Sequence, residues 1–378
     1  MSLANWIPRP LGQCAKFLSG GTPSKAQAEF WDGDIPWVSS GEMTQDYIYD
    51  TELHISEDGA SSGSRLIPAN TVLAVVRGMS LAKEFRVAIT KRKMAFNQDL
   101  KAFACFPGIE SHFLYYALVA RRDHIRELAT EASHGTKKLE TEVLNAVELL
   151  VPPLVIQCRV VNVLTAYDDL IENNRRRMAL LEEAARLLYQ EWFVRLRFPG
   201  YEHTRIVDGV PEGWERKRLG DHLILNYGKA LKAETRVEGA FPVYGSSGIV
   251  GTHEKPLTKG PAIILGRKGN VGSVYWSSKD FYPIDTVYYI NAEISNLYLF
   301  YALKHMHFIS TDVAVPGLNR DLAYSRPLLL PSKSILQQFL ETISPIHEQI
   351  DKLIEMNEKL KAARDLLLPR LMSGEIIM

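Results

Sequence analysis

Cysteine is scarce in this chain of 378 residues, and the three present, Cys14, Cys105 and Cys158, are far apart and odd in number. They offer neither a disulfide framework nor a zinc knuckle and fit a reducing compartment. No apolar run approaches the length of a membrane span, and the N-terminus does not read as a signal peptide. A soluble cytoplasmic protein with no membrane partner is the expectation. Net charge is missing too: 44 basic side chains stand against 44 acidic ones. Whole-molecule charge therefore does not announce a nucleic-acid binder, and any such surface must be local. Catalytic signatures are absent. There is no Gly-x4-Gly-Lys-Ser/Thr phosphate loop, and Gly266, Gly269 and Gly272 are spaced wrongly for a dinucleotide fingerprint. The ten histidines include no His-Glu-x-x-His pair, and no Cys/His cluster has metal-ligand spacing. The acid pair Glu182-Glu183 reads as a solvated helix face. Nothing here gives reason to expect an enzyme, a metal or a cofactor bound by this chain.

What is present is a long helical seam. Ile156, Val160, Val163, Tyr167, Leu170, Asn174, Met178, Leu181, Ala185, Leu188 and Trp192 step by four and three residues, with no proline or glycine between Ile156 and Phe193. At 1.5 Å per residue, about 38 residues make a rod of roughly 57 Å, which calls for a partner helix. That partner lies in the same chain, from Ser334 to Leu368, with a seam of Leu336, Leu340, Ile343, Ile350, Leu353, Asn357 and Leu360. Asp168-Asp169-Leu170-Ile171-Glu172-Asn173-Asn174 and Asp351-Lys352-Leu353-Ile354-Glu355-Met356-Asn357 match at five of seven positions with a constant offset of 183. Trp6, Leu11 and Gly12 recur as Trp214, Leu219 and Gly220 at an offset of 208. The chain is a duplication, each half a globular unit closed by a long helix. In an antiparallel pair with a twofold axis, Asn174 and Asn357 are expected to meet and fix register. Leu180, Leu187 and Tyr189 lie off the first seam, and Ile335, Phe339 and Ile354 off the second; they are expected to be exposed to a partner.

Apolar composition of 46% is enough for two cores. The first unit reads as short strands punctuated by Gly, Pro and Ser: a turn at Gly20 to Ser24, an edge strand at Ile35 to Val38, a buried strand at Thr71 to Val76. Helical content is expected late, in Phe113 to Glu131, and Val151-Pro152-Pro153 sets the start of the long helix. The stretch from Arg195 through Gly213 reads as a linker. In the second unit, Val243 to Gly251 and Ile264 to Trp276 read as strand, glycine loop, strand, and Leu297 to His307 as a helix. Arg267-Lys268-Gly269-Asn270 places two cations and an amide on a loop whose glycines allow close approach to phosphates and base edges. Arg77-Gly78-Met79-Ser80 follows the first unit's buried strand at the matching place, with Lys83, Arg86, Lys91, Arg92 and Lys93 after it. Arg175-Arg176-Arg177 reads as a solvent-facing helix run.

Gly20 to Ser24 followed by Trp31-Asp32-Gly33-Asp34-Ile35-Pro36-Trp37-Val38, and His134-Gly135-Thr136-Lys137-Lys138-Leu139 leading to Val151-Pro152-Pro153-Leu154-x-x-Gln157, together resemble the specificity subunit of type I restriction-modification systems. The two glycine loops of the second half do so as well. The resemblance covers essentially the whole chain. It implies a mixed α/β fold with two target recognition domains, residues 1–151 and 200–330, separated by an antiparallel coiled coil of two spacer helices, 152–199 and 331–378. It also implies a non-catalytic reader of a bipartite, asymmetric site in double-stranded DNA. Its partners would be two methyltransferase subunits carrying S-adenosylmethionine and two restriction subunits using ATP and Mg2+. The DNA-facing candidates are then Arg77, Ser80, Lys83, Lys137, Lys138, Lys229, Tyr244, Ser246, Ser247, Arg267, Lys268, Asn270, Asn319 and Arg320. Two departures stand out: Pro331-Ser332-Lys333 replaces a second Pro-Pro-Leu, and Ala82 stands where the second unit has Gly272. The rival reading is a scaffold whose paired domains bind proteins on a coiled-coil rod.

Overall fold

A computed structural model describes residues 6–132, 135–306, 308, 317–376 and 378. The chain forms two compact units, Met1–Glu172 with Glu358–Met378, and Asn173–Asn357.

The first unit opens with a strand, Ile7–Pro10, paired antiparallel with Glu148–Val151. A tight turn, Leu11–Gln13, follows; Leu11 is fully buried and its N–H donates to the Val147 carbonyl at 2.8 Å. The main sheet has the order Ala15–Ser19, Leu100–Cys105, Val72–Val75, Val87–Thr90, Tyr47–Ile48. Its central strand reads as an unbroken apolar run because both faces are covered. Val72, Ala74 and Val76 enter the core that holds helix Ser111–Ala120, while Leu73 and Val75 enter a second core with Val38, Met94 and Phe96. A smaller sheet sets Ile35–Val38 between Met94–Phe96, parallel, and His54–Ile55, antiparallel. Ile35–Val38 is thus an interior strand, not the expected edge. Pro36 is tolerated because the strand is short and the neighbouring Trp37 N–H bonds the Leu53 carbonyl at 2.9 Å.

The second unit repeats this plan. Glu215–Arg218 pairs with Pro327–Leu330, and the Leu219 N–H donates to the Arg326 carbonyl at 2.8 Å. Its sheet, Asn226–Tyr227, Val287–Ile290, Ala262–Gly266, Val274–Ser277, has the same order as the first four strands of the other unit. Phe241–Gly245 lies between Tyr282–Pro283, parallel, and Gly248–His253, antiparallel, as Ile35–Val38 does. The Trp-x4-Leu-Gly repeat has a physical reason: the leucine seals the core, and a Cβ on Gly12 or Gly220 would come within 2.6 Å of Asn145 or 2.7 Å of Tyr324. The segment expected to be a linker contains a small hairpin, Ile206–Val207 with Val210–Pro211.

The long helices run Leu154–Tyr189, continued by a wider turn Gln190–Val194, and Lys333–Met372. Gln157 fastens the first to its unit: its side-chain amide donates to the carbonyls of Gly108 and Pro152 and accepts from the Glu110 N–H, all at 2.9 Å. In the first unit Val160, Val161 and Leu164 share a core with Leu368, Leu371 and Met372. In the second, Tyr189 and Phe193 pack on Phe339. Within each unit the segments are antiparallel. The buried stripe departs from the expected seam near its start: Leu164, Asp168 and Ile171 are inside, whereas Leu170 is exposed. Tyr189, Ile335 and Phe339, expected to face a partner, are buried in the second unit's own core; Leu180, Leu187 and Ile354 are exposed as expected. The helical content expected from Phe113 to Glu131 is present as two short helices, Ser111–Ala120 and Arg122–Glu127, and the stretch ends in the strand Thr130–Glu131. Its second-unit counterpart is Leu297–His305; His307 lies outside the described residues.

Candidate nucleic-acid interface

At the end of each central strand the backbone makes the same turn. Val76 and Arg77 both donate to the Asp99 carbonyl, at 2.9 and 3.3 Å; Arg267 and Lys268 both donate to the Thr286 carbonyl, at 2.9 and 3.0 Å. A glycine with positive φ comes next, Gly78 at 140° and Gly269 at 76°, a conformation that disfavours any residue with a Cβ. The Val76 and Arg267 carbonyls then accept from Leu139 and Leu318, both at 2.8 Å. The residue after each leucine, Glu140 or Asn319, begins a short helix, Thr141–Asn145 or Arg320–Ser325. Arg77 therefore occupies the place of Lys268, and Val76 that of Arg267. This is one residue out of step with the match expected from sequence, so Leu81, not Ala82, stands opposite Gly272.

In the first unit this frame gathers basic residues from distant segments. Lys137–Lys138 forms the middle strand of a small sheet between Thr130–Glu131 and Arg77–Gly78, with Lys138 opposite Arg77. Like charges facing each other are unfavourable, and Glu140, 2.7 Å from the Lys138 ammonium, offsets part of this. Arg77 and Lys83 are exposed and Ser80 is half-buried. His134 of the same motif lies outside the described residues. Farther along, Arg92 and Lys93 are paired with Asp50 and Glu57, and Lys91 sits 4.0 Å over the Tyr47 ring.

In the second unit Lys268 bridges to Gly317, and Lys268, Asn270, Lys229 and Ser247 are exposed. The Arg267 guanidinium donates to the Asp285 carbonyl at 3.0 Å and lies 5.0 Å over the Tyr227 ring. The Arg320 guanidinium lies 5.3 Å over the same ring. Tyr227 is 51% exposed and packs edge-on against the buried Tyr288. Burial pushes the Tyr288 hydroxyl above its ordinary range, and its OH donates to the Leu318 carbonyl.

With two such loops in place, the residues match the family profile of the type I restriction modification DNA specificity domain over 4–183 and again over 211–363. The chain belongs to this family. Among similar members of the DNA specificity family is the type I restriction enzyme MjaIX specificity subunit of Methanocaldococcus jannaschii, 27% identical, with 98% of this chain and 94% of that one covered. The EcoR124I/EcoR124II specificity subunit of Escherichia coli is 32% identical over 43% of this chain and 41% of its own. In fold, the type I S subunit of M. genitalium superimposes with a TM-score of 0.59 at 18% identity, covering 97% of this chain and 96% of that one.

Three candidates for DNA contact have other work in this specificity-family fold. Tyr244 is buried against Ala262, Ile264, Phe281 and Val287, so its ring is core rather than platform. Ser246 is also buried; its N–H donates to the Thr286 hydroxyl and its carbonyl accepts from Ser273 and Tyr275. The Asn319 side chain caps its helix, accepting from the N–H groups of Asp321 and Leu322. Sequence reading missed Tyr227. Its only local signal is its place beside Gly228 and Lys229, and the arginines that share its ring come from positions 40 and 93 residues later.

Proposed function

We propose that this chain reads a split, asymmetric DNA site on behalf of a type I restriction-modification complex, each unit reading one half. The observation that carries this is the repeated backbone frame after the central strands, which holds Arg77, Lys137 and Lys138 in one unit and Arg267, Lys268 and Arg320 in the other. A shared frame presents the same kind of surface to DNA, and different side chains on it select different bases. Lysines on the rim, Lys83 and Lys229, supply phosphate contacts, which set orientation and salt dependence without carrying sequence.

On this reading residues 1–151 and 200–330 are the target recognition domains, and 152–199 and 331–378 the spacer segments. The complex works in the cytoplasm. This chain performs no chemistry. Two methyltransferase subunits bring S-adenosylmethionine and methylate adenine, and two restriction subunits bring ATP and Mg2+. The apolar positions left exposed on the long helices, Leu180, Leu187 and Ile354, are where methyltransferase helices dock.

The test is methylation of a random-site DNA library by the chain assembled with its methyltransferase subunits. The expected outcome is a consensus in two parts with a non-specific gap of fixed length. A consensus in one uninterrupted part would refute the split reading, and absence of any enrichment would favour the scaffold.

A further inference from the structure

The two units share a backbone frame but not the chemistry at its centre. Strand pairing sets Tyr227 opposite Tyr288, where the first unit has Ser19 opposite Lys101. Hydrogen bonding sets Arg267 in the place of Val76, and helix starts set Arg320 in the place of Thr141. In the first unit these positions hold no guanidinium, and the Lys101 ammonium donates to the Ser19 hydroxyl at 2.6 Å. In the second, two guanidinium groups share one half-exposed ring, and among the described residues neither is paired with a carboxylate. Two cations brought together without an anion repel each other. Among the described residues no carboxylate occupies these guanidinium groups, so they are open to an incoming acceptor.

We propose that Arg267 and Arg320, held on the Tyr227 ring, read guanine in the half-site of the second unit, with Tyr227 as their positioning residue. This rests on the reading of the chain as a DNA reader. A phosphate contact can be met by charge alone, which the exposed Lys229 and Lys268 already supply on flexible stems. A planar fork presented edge-on fits guanine O6 and N7 with two parallel hydrogen bonds, the commonest specific contact in the major groove. The cation–π attraction of the Tyr227 ring restrains both guanidinium groups before DNA arrives, and the Asp285 carbonyl holds one edge of the Arg267 fork. Less side-chain freedom is then lost on binding.

The experiment uses the chain assembled with its methyltransferase subunits on a random-site library, reading base frequencies within the methylated molecules. Normalisation within that pool removes any change in overall activity. The wild type is expected to require at least one G·C pair in one half-site. Arg267→Lys and Arg320→Lys keep the charge, and each is expected to relax a G·C requirement by roughly 5- to 150-fold while the other half-site stays intact. Tyr227→Leu is expected to relax the same positions, and Tyr227→Phe, which keeps the ring, to restore them. If the wild-type base frequencies persist in both Arg→Lys variants, and in Arg267→Ala as well, the arginines contact phosphate and the proposal falls while the DNA-reader assignment stands. If the wild type yields no consensus, both fall.

Discussion

Asp168 is 4% exposed and accepts hydrogen bonds from the Tyr116 hydroxyl and Arg364 Nη1, each at 2.5 Å, and from the Tyr47 hydroxyl at 3.3 Å. Burial pushes its carboxyl up, and the Arg364 guanidinium draws it back toward the ionised form. Breaking a buried pair leaves an uncompensated charge, so Arg364→Leu is expected to destabilise the first unit by about 3–5 kcal/mol. Replacing Asp168 with leucine as well should recover most of that loss. Urea unfolding of the two variants checks this, and equal destabilisation by both would show that the charge is not the cause. His347 behaves oppositely in the second unit. Its Nε2 lies 2.9 Å from the Tyr301 hydroxyl, and burial, reinforced by Lys304, brings it down to about 4. The folded value lies below the unfolded one, so the unfolded state binds more protons between them. The stabilising effect is present above about pH 6.5 and is lost as pH falls toward 4, on the order of 3 kcal/mol in all. His347→Leu should flatten stability against pH in that window; an unchanged slope by urea titration at pH 7 and pH 5 would count against it.

At the scale of elements, the helix pair carries a polar link in an apolar seam. Asn174 Nδ2 donates to Asn357 Oδ1 at 2.9 Å, the contact expected from the 183-residue offset. Such a link gives register at a cost in stability. The double replacement Asn174→Leu with Asn357→Leu is therefore expected to raise the urea midpoint while lowering hydrogen-exchange protection of the amides around Asn174. A lower midpoint with protection unchanged would mean that the pair stabilises rather than specifies. The duplication runs deeper in backbone than in side chains: the 183 offset takes Arg364 to Leu181, so the charged lock of the first unit has no copy in the second. There His347 and Tyr301 form a neutral contact instead.

At the scale of the whole molecule, helix length is the variable that a bipartite reader would use to set its gap. The long helices begin at Leu154 and Lys333, 179 positions apart, while the Asp168 and Asp351 motifs are 183 apart. The second helix thus carries four more residues before its motif. An insertion between Ala185 and Leu188 would disrupt packing, because Ala185 and Tyr189 lie in the second unit's core. Four residues between Arg177 and Met178, matched by four between Leu353 and Ile354, avoid that and lengthen both helices by about 6 Å. The variant is expected to keep both half-sequences and to require a gap longer by about one or two base pairs, at 3.4 Å each. Methylation of sites differing only in gap length measures this; retention of the original gap would show that the helices do not set it.

The sequence by itself determined the duplication, the long helices and their start after Pro152-Pro153 and Pro331, the buried strand at Thr71 to Val76, and the two glycine loops. These are written in local periodicity and in backbone preferences of single residues, which neighbours along the chain suffice to express. It also determined the meeting of Asn174 and Asn357, because twofold repetition converts an offset into a contact. Only the tertiary structure decided that Arg77 answers Lys268, that Lys137 and Lys138 lie beside Arg77, and that Tyr244 is core while Tyr227 holds two arginines. Each depends on which carbonyl or strand from tens of residues away meets the loop. In a sheet a shift of one residue turns every side chain to the other face, so composition and spacing along one strand leave that choice open.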